Sequence, residues 1–467
     1  MKRFSPPWLK AFCFILALTL TIATAAGCKR LRQKAAKTDK PPIVLFVIDT
    51  LRADHVGAYG YPRATTPNLD QFAAKALRFN HAYAAASWTV PSMSSLFTGV
   101  YPWDHGVTKA ELVNVQEIEY QLTLNDQFQT LAEALRDAGY ETFGVSGNYH
   151  MHEKYGMAQG FAHYKTFAFR DRDQVDLQVK DWIEQLRRVR QQGKPYFLYV
   201  HYFDPHHPYL AVDPFIREWL PKFDEEELKK IVLENFAEEA NTGYFQKNPD
   251  KMQILIDLYD SEVKAADDSV GRWLRELPDI DQSLVVITSD HGEAFGDHDN
   301  LIHGRDLYNE TLRVPLLVKF PGWSNPGAAV DTHVSLIDLY PTLAGVARAA
   351  KPAYLAGVDL IPLLQQPAPD RNLFATVERA DDLTWRAVVG PQYKWLLNVA
   401  ADRQELYDLT TDPGEKRELR KEMPSVAEQY FTLWVKTHRT QPLYPPGNAG
   451  TIDPALRKNL KNLGYIN

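Results

Sequence analysis

Cysteine is almost absent from this sequence, and its absence excludes several kinds of site. Only Cys13 and Cys28 occur in 467 residues, both close to the N-terminus. The long remainder of the chain therefore has no disulfide, no thiolate-bound zinc and no cysteine nucleophile. Chemistry in that part must depend on carboxylates, imidazoles, hydroxyls and amides.

A surplus of positive charge is also missing. The chain has 52 Lys and Arg residues against 59 Asp and Glu, a net charge of -7. Nucleic-acid-binding proteins usually carry a basic surplus, so we expect no nucleic-acid partner. Hydrophobic residues make up 45% and charged residues 24%, which is typical of a folded protein. The length predicts one large domain with a smaller one, or two to three ordinary domains.

The N-terminus has the pattern of a targeting segment. Basic residues precede an apolar stretch over residues 11–26, which ends in Ala25-Ala26-Gly27-Cys28. Small residues directly before a cysteine resemble a bacterial lipoprotein signal, so we predict a signal over residues 1–28 with lipidation at Cys28. An uncleaved anchor and ordinary secretion are the alternatives. Residues 29–40 are rich in basic side chains and predict a solvated linker. The expected location is outside the cytoplasm, anchored to a membrane.

The body of the chain alternates strand-like and helix-like segments. Continuous apolar runs predict strands buried on both faces, at residues 43–48, 196–202, 283–288 and 314–320. Helical spacing between them covers residues 128–138, 175–191 and 252–277. This alternation predicts an α/β domain with a mostly parallel sheet flanked by helices, over residues 41–350. Shorter strands at 383–399 and 405–409 predict a smaller α+β subdomain with antiparallel strands, over residues 351–467.

Acids and histidines follow three of these strands. Asp49 ends the first, the segment from Asp204 to Tyr209 follows the second, and Asp290-His291-Gly292-Glu293 follows the third. Ligands of parallel sheets collect at the carboxyl ends of the strands, so these side chains are expected on one rim. Carboxylates and imidazoles without thiolates suit Ca, Mg, Mn or Zn. The pattern therefore predicts a site for one divalent metal ion and an anion.

A threonine is the candidate nucleophile. Thr89 precedes Pro91 in the segment SWTVPSMSSLFTG, where proline suits the first turn of a helix and Gly99 its end. One interpretation is that Thr89 merely caps this helix. The other is that its hydroxyl lies at the positive end of the helix, where a transferring phosphoryl or sulfuryl group is stabilised.

The ordered motifs resemble those of the sulfatase family, within the alkaline phosphatase superfamily. The Thr89 segment is similar to the sulfatase signature, in which Cys or Ser precedes x-Pro-Ser-Arg. The matching motifs further along the chain are Ile48–Arg52, Asp204–Tyr209, Asp290–Glu293, His303-Gly304 with 307–315, 335–343, 405–409 and 453–465. The resemblance spans residues 41–467 and implies an alkaline phosphatase-like α/β fold.

The departures from the family pattern change the expected chemistry. Sulfatases convert the Cys or Ser into formylglycine, which Thr89 cannot become because of its β-methyl group. Met93 replaces the supporting Arg, and Thr50 the second opening aspartate. Asn148 and His303 stand near the positions of two anion-binding lysines, and His291 replaces the usual Asn.

These changes make the site similar to relatives with a threonine nucleophile. The resemblance implies that Asp49, Thr89, Asp290 and His291 surround the divalent ion. His206 is the candidate general acid and binds substrate, while His303 and Asn148 would hold substrate oxygens. His201 is interpreted as a core histidine and left out of the site.

Three functions stay open. The favoured one is hydrolysis or transfer of phosphoric esters through Thr89, on a small-molecule, glycan-linked or lipid-linked substrate. The second is hydrolysis of sulfuric esters without formylglycine. The third is a non-catalytic binding protein, against which the metal-ligand residues argue.

Overall fold

The computed structural model describes residues 39–108, 110–112, 119–167, 171–235, 243–323, 325–364, 371–379 and 383–448. The predicted signal, most of the linker, the lipidation at Cys28 and the terminal 453–465 motif lie outside these residues and stay predictions. No helix of the described ranges is long and apolar enough to cross a membrane.

A large mixed sheet forms the centre of the molecule. Its strands are β1 Ile43–Ile48, β2 Leu77–Tyr83, β5 Glu141–Ser146, β6 His163–Thr166, β7 Tyr196–Tyr202, β8 Leu284–Thr288, β9 Arg313–Lys319, β10 Ala329–Val330 and β11 Val334–Ser335. The strand order in the sheet is β10-β2-β9-β8-β1-β7-β5-β6, and β11 also pairs with β2. The block β8-β1-β7-β5-β6 is parallel, whereas β9 runs antiparallel to both β8 and β2. The mostly parallel sheet is therefore confirmed, with β9 as the strand of opposite direction.

Helices cover both faces of this sheet. They are α1 Pro67–Ala73, α2 Thr89–Thr98, α3 Pro102–His105, α4 Leu131–Asp137, α5 Arg172–Gln191, α6 Glu225–Lys229, α7 Tyr244–Lys247, α8 Pro249–Glu276, α9 Asn309–Leu312, α10 Leu339–Val346 and α11 Pro424–Thr437. One-turn 3-10 helices occur at Ala53–His55, Gly57–Tyr59, Tyr149–Met151, Glu153–Tyr155, Phe215–Glu218, Ile280–Gln282, Leu336–Asp338 and Ile361–Leu364, and a π-helical turn at Lys230–Asn235.

The continuous apolar runs are explained by burial on both sides. In β1, Ile43, Leu45 and Val47 pack into one core with α2, α4 and α10. Their neighbours Val44, Phe46 and Ile48 pack into a second core with α1, α5 and α8. Because successive strand residues point to opposite faces, a strand between two helical layers must be apolar throughout.

A four-stranded antiparallel sheet follows near the C-terminus. Its strands β12 Leu373–Glu378, β13 Thr384–Val389, β14 Tyr393–Asn398 and β15 Arg403–Asp408 pair in chain order, and α11 packs on them. This confirms the predicted antiparallel subdomain. A small third sheet joins β3 Ala110–Leu112, β4 Glu119–Thr123 and β16 Gly447–Asn448. The boundary at residue 350 stays a prediction, since residues of β12 and β13 share the first core with α2.

Candidate active site

Three adjacent parallel strands bring acids and a histidine to one rim. Asp49 directly follows β1, Asp290 lies two residues beyond β8, and His201 is the penultimate residue of β7. All three are fully buried. Their nearest ligand atoms lie within 4.8 Å of one another, a grouping that could hold a metal ion. The rim expected from strand order is thus present, and it includes a histidine that was interpreted as core.

Each of these three residues has a buried atom without a hydrogen-bond partner among the described residues. The atoms are Asp49 Oδ1, His201 Nε2 and Asp290 Oδ2. The other oxygen of Asp49 accepts from Asn148 Nδ2 at 2.6 Å. The other oxygen of Asp290 accepts from the backbone N–H groups of Thr50 and His291, at 3.2 and 2.9 Å. Unpaired buried acceptors are costly, and three converging ones fit a bound cation.

No lysine or arginine in the described part of the chain forms an ion pair with Asp49 or Asp290; their ion-pair partners are the imidazoles of His201 and His291. Burial, reinforced by the charge of Asp49, raises the pKa of Asp290. The two buried carboxylates repel each other, and a divalent ion would relieve this repulsion.

His291 directs one ring nitrogen towards this rim. Its Nδ1 lies 2.9 Å from the carbonyl oxygen of Gly292. A carbonyl only accepts, so Nδ1 carries the hydrogen and the neutral ring presents the lone pair of Nε2. That Nε2 lies 3.3 Å from Asp290 Oδ2 and 3.6 Å from Asp49 Oδ1. This tautomer is the one that a metal ligand requires.

Thr89 opens α2 and does not cap it. The helix begins at Thr89 itself, its N-cap is Trp88, and no side chain caps it. The cap interpretation is therefore wrong. Thr89 Oγ1 lies 3.4 Å from His291 Nε2 and accepts from Asn148 Nδ2 at 3.3 Å. The hydroxyl is almost fully buried at the positive end of a ten-residue helix, beside the acids.

Met93 lies one turn further along the same helix. It is fully buried in the first core, among apolar side chains. At the position where the family has an arginine, this chain thus has an apolar side chain that packs into the core and contributes no charge to the site.

A row of three imidazoles extends the site beyond Asp290. The ring of His303 lies 4.4 Å from that of His291 and 4.7 Å from that of His206. His303 Nδ1 is 3.1 Å from Glu293 Oε1, and burial raises the pKa of Glu293 to about 8. Burial, followed by the charges of the neighbouring histidines, lowers the pKa of His206 and His303 well below the usual range. His206 therefore adjoins the metal rim through His303.

The structure brings together all the site residues of the body that were proposed from sequence: Asp49, Thr89, Asn148, His206, Asp290, His291 and His303. Sequence reasoning missed His201 as a site residue and Glu293 as the partner of His303. The signal for His201 was its place next to the last residue of β7, opposite Val47 of β1.

A mostly parallel sheet with buried acids, imidazoles and a helix N-terminus at one rim is typical of metal-dependent α/β hydrolases. Residues 41–349 match the family model described as Sulfatase, and residues 296–436 match N-sulphoglucosamine sulphohydrolase, C-terminal. The first match covers most of the chain. The chain belongs to the sulfatase family and is a sulfatase-family hydrolase.

Individual relatives are distant but similar over most of their length. The uncharacterized sulfatase YidJ of Escherichia coli is 26% identical over 440 residues, covering 81% of this chain and 83% of that protein. The Delta 4,5-hexuronate-2-O-sulfatase of Bacteroides thetaiotaomicron is 24% identical, covering 83% and 86%. The structure of the phosphonate monoester hydrolase of Agrobacterium radiobacter superposes with a TM-score of 0.65 at 19% identity, covering 85% and 95%. This last likeness concerns the fold alone.

Proposed function

We propose that this protein hydrolyses or transfers phosphoric esters, with Thr89 Oγ1 as the nucleophile. The observation that carries the proposal is the position of Thr89, buried at the N-terminus of α2 and within 3.4 Å of both His291 Nε2 and Asn148 Nδ2. No cysteine is available as an alternative, and Met93 replaces the arginine that accompanies formylglycine in the family.

The residues at the rim fit one divalent ion. Asp49 and Asp290 each keep an unpaired buried oxygen, and His291 presents Nε2 beside them. When bound, such an ion would lower the pKa of the Thr89 hydroxyl and neutralise charge on the ester.

Asn148 orients the nucleophile. Its Nδ2 donates to Asp49 Oδ2 at 2.6 Å and to Thr89 Oγ1 at 3.3 Å, so one amide group ties the hydroxyl to the acid beside it. Its Oδ1 in turn accepts from the backbone N–H of His150, which prevents the amide from flipping. The side chain thus holds Thr89 in a single orientation towards the rim.

The reaction then has two displacements. The Thr89 hydroxyl loses its proton to solvent, its oxygen bonds to phosphorus, and the bond to the leaving alcohol breaks as His206 Nε2 gives that oxygen a proton. Water, or a second alcohol, next attacks phosphorus and gives its proton to His206 Nε2, while the bond to Thr89 breaks and the Thr89 oxygen regains a proton from solvent. His206 can serve because its Nδ1 lies 2.5 Å from the His207 carbonyl, which leaves Nε2 to carry the transferred proton.

We expect His206 to become protonated only when the substrate is bound. Burial and the neighbouring imidazole of His303 disfavour a charge on the free ring. An anionic ester bound beside the two rings would reverse that effect and raise the pKa of His206. His303, tied to Glu293, would hold a non-bridging oxygen of the ester.

Hydrolysis of sulfuric esters is the second candidate function. It is favoured by relatives named as sulfatases, which match over more than four fifths of this chain. A neutral threonine hydroxyl offers no formylglycine diol, however, and breakdown of a sulfo-threonine is difficult. The fold does not distinguish hydrolysis of phosphoric esters from hydrolysis of sulfuric esters, since a phosphonate monoester hydrolase shares it.

Turnover of matched nitrophenyl esters of sulfate, phosphate monoester and phosphate diester by the full chain tests the proposal. We expect preference for a phosphoric ester and a loss of at least about 10³-fold in kcat for Thr89→Ala. Thr98→Ala is the matched control, because Thr98 lies at the other end of α2 and its hydroxyl donates to the Ser94 carbonyl. Preference for sulfate would favour the second candidate, and unchanged turnover by Thr89→Ala would eliminate the nucleophile.

A further inference from the structure

We propose that His201 is a metal ligand, and that with His291 it makes this centre selective for zinc-class transition-metal ions over Ca²⁺ and Mg²⁺. The inference shares its ion with the proposed function but concerns binding, not turnover. The protein donors would be two carboxylates, Asp49 and Asp290, and two imidazoles, and the Thr89 hydroxyl would add as a fifth donor when the ion activates it.

The position of His201 is the first observation. The ring is fully buried, its Nε2 has no hydrogen-bond partner among the described residues, and Asp49 Oδ2 lies 3.4 Å away. An unpaired ring nitrogen does not by itself identify a ligand, because the buried His333 also has one, with no described carboxylate within ion-pair distance. His201 instead presents an unpaired nitrogen to a buried pair of acids.

The far side of the ring is held by a tyrosine. His201 Nδ1 lies 2.7 Å from the hydroxyl oxygen of Tyr199, which is also fully buried. A tyrosine hydroxyl can accept from Nδ1–H, which leaves the lone pair of Nε2 for a metal. Ligating histidines usually have such a partner on the other nitrogen, and it orients the ring. Tyr199 is therefore a positioning residue for His201.

The spacing of the donors suits a small ion. The nitrogen–oxygen separations across the rim are 3.4 Å for His201–Asp49, 3.3 Å for His291–Asp290 and 3.6 Å for His291–Asp49. Ligands about 2.0–2.1 Å from a tetrahedral zinc ion lie about 3.3–3.4 Å apart. Three of the donor pairs thus have about the separation that such an ion requires, with His201 beside Oδ2 and His291 beside Oδ1 of Asp49.

The chemistry of the donors adds selectivity. Ca²⁺ and Mg²⁺ prefer sets made wholly of oxygen, whereas imidazole favours Zn²⁺ and its neighbours in the transition series. Two carboxylates also balance the two positive charges without any lysine or arginine. A second imidazole therefore moves the preference away from the alkaline-earth ions.

Metal binding by the chelator-treated full chain tests this inference, measured by equilibrium dialysis with elemental analysis. We expect one Zn²⁺ per chain, bound at least about 10²-fold more tightly than Ca²⁺. His201→Ala should weaken Zn²⁺ binding at least about 10-fold and leave weak Ca²⁺ binding within a few-fold of wild type. Electron spin-echo spectroscopy of the Cu²⁺-loaded protein should detect two imidazole ligands in wild type and one in His201→Ala.

Two further variants complete the experiment. Tyr199→Phe keeps every ligand but removes the hydroxyl, so we expect about 10-fold weaker Zn²⁺ binding with two imidazoles still detected. His333→Ala is the control, because His333 also has a buried, unpaired Nε2 but no described carboxylate within ion-pair distance; its Zn²⁺ affinity should not change. Equal affinity for Zn²⁺ and Ca²⁺, or two imidazoles remaining in His201→Ala, would overturn the inference. Zinc bound through His201 without ester turnover would instead count against the proposed function alone.

Discussion

Two groups of buried acids in this molecule differ in the partners of their carboxylate oxygens. Asp176, at the start of α5, accepts from Tyr202, Trp273, Ser269 and Arg272, at 2.8, 2.8, 2.8 and 3.1 Å. Glu415 pairs with the fully buried Lys394 at 2.8 Å and accepts from the Asn309 backbone at 2.6 Å. Asp49 and Asp290 are buried as deeply, yet each keeps an oxygen that has neither a hydrogen bond nor a lysine or arginine partner among the described residues.

The difference indicates that Asp176 and Glu415 stabilise the fold, whereas Asp49 and Asp290 serve the candidate site. Asp176 joins α5 to β7 and α8, and Glu415 joins the C-terminal sheet to α9, so their partners are residues that hold distant segments together. Each acid of the rim uses one oxygen to join segments, but its second oxygen joins nothing, and the two neighbouring carboxylates repel each other. A folded chain keeps such a destabilising arrangement where a ligand or a reaction depends on it.

The largest loss of unfolding free energy is expected on removing Lys394, the partner of Glu415. Lys394→Met removes the ammonium and leaves Glu415 as an uncompensated buried charge, which should lower the free energy of unfolding by about 3–5 kcal/mol. Urea denaturation measures this, and ester turnover per folded molecule should stay unchanged. The double variant Lys394→Met with Glu415→Leu should recover most of the loss. A loss below about 1 kcal/mol in the single variant would contradict the role given to this pair.

The same substitution at one acid of each group sharpens the comparison. In Asp290→Asn, the new amide would donate to His291 Nε2, now 3.3 Å from Oδ2. With chelator present, the free energy of unfolding should stay level or rise by about 1 kcal/mol, while ester turnover is lost. In Asp176→Asn, the amide would meet hydrogen-bond donors, and the loss should be about 2–3 kcal/mol with turnover kept. Equal destabilisation by both variants in urea would show that the two groups do not differ.

The smallest change in stability is expected from the titration of Asp104, an acid whose one ion-pair partner is exposed. Burial raises the pKa of Asp104 to about 6, and its ion pair is with Arg439, whose side chain is 61% exposed. The folded protein then holds a proton that the unfolded chain has lost, so stability should fall as the pH rises from about 4 to 6 and stay level above. After screening by solvent, the change should be about 1 kcal/mol.

Urea denaturation of wild type and Asp104→Asn across this pH range measures that slope. The variant cannot titrate, so its unfolding free energy should lack this contribution. Identical pH profiles would mean that Asp104 ionises normally in the folded protein.

Much of the fold followed from simple patterns. The apolar run at 196–202 coincides with β7, and the run at 43–48 with β1, because a strand between two helical layers has no polar face. The rim of the site followed as well, since parallel neighbours end at the same edge. The opposite direction of β9 did not follow: its apolar pattern is the same whichever way the strand runs.

His201 marks the boundary of what the sequence by itself determined. Composition, the apolar runs and the order of Asp49, Thr89, Asp290 and His291 determined the α/β class, the family and a candidate metal site at one rim, because these depend on local periodicity and on residues at strand ends. A histidine within a buried run gives only a weak signal, its nearness to the strand end, and packing alone explains such a residue equally well. Only the tertiary structure decided that its Nε2 lies 3.4 Å from Asp49 while Glu415 meets Lys394. The reason is physical: partners distant in sequence are chosen by strand register and domain packing.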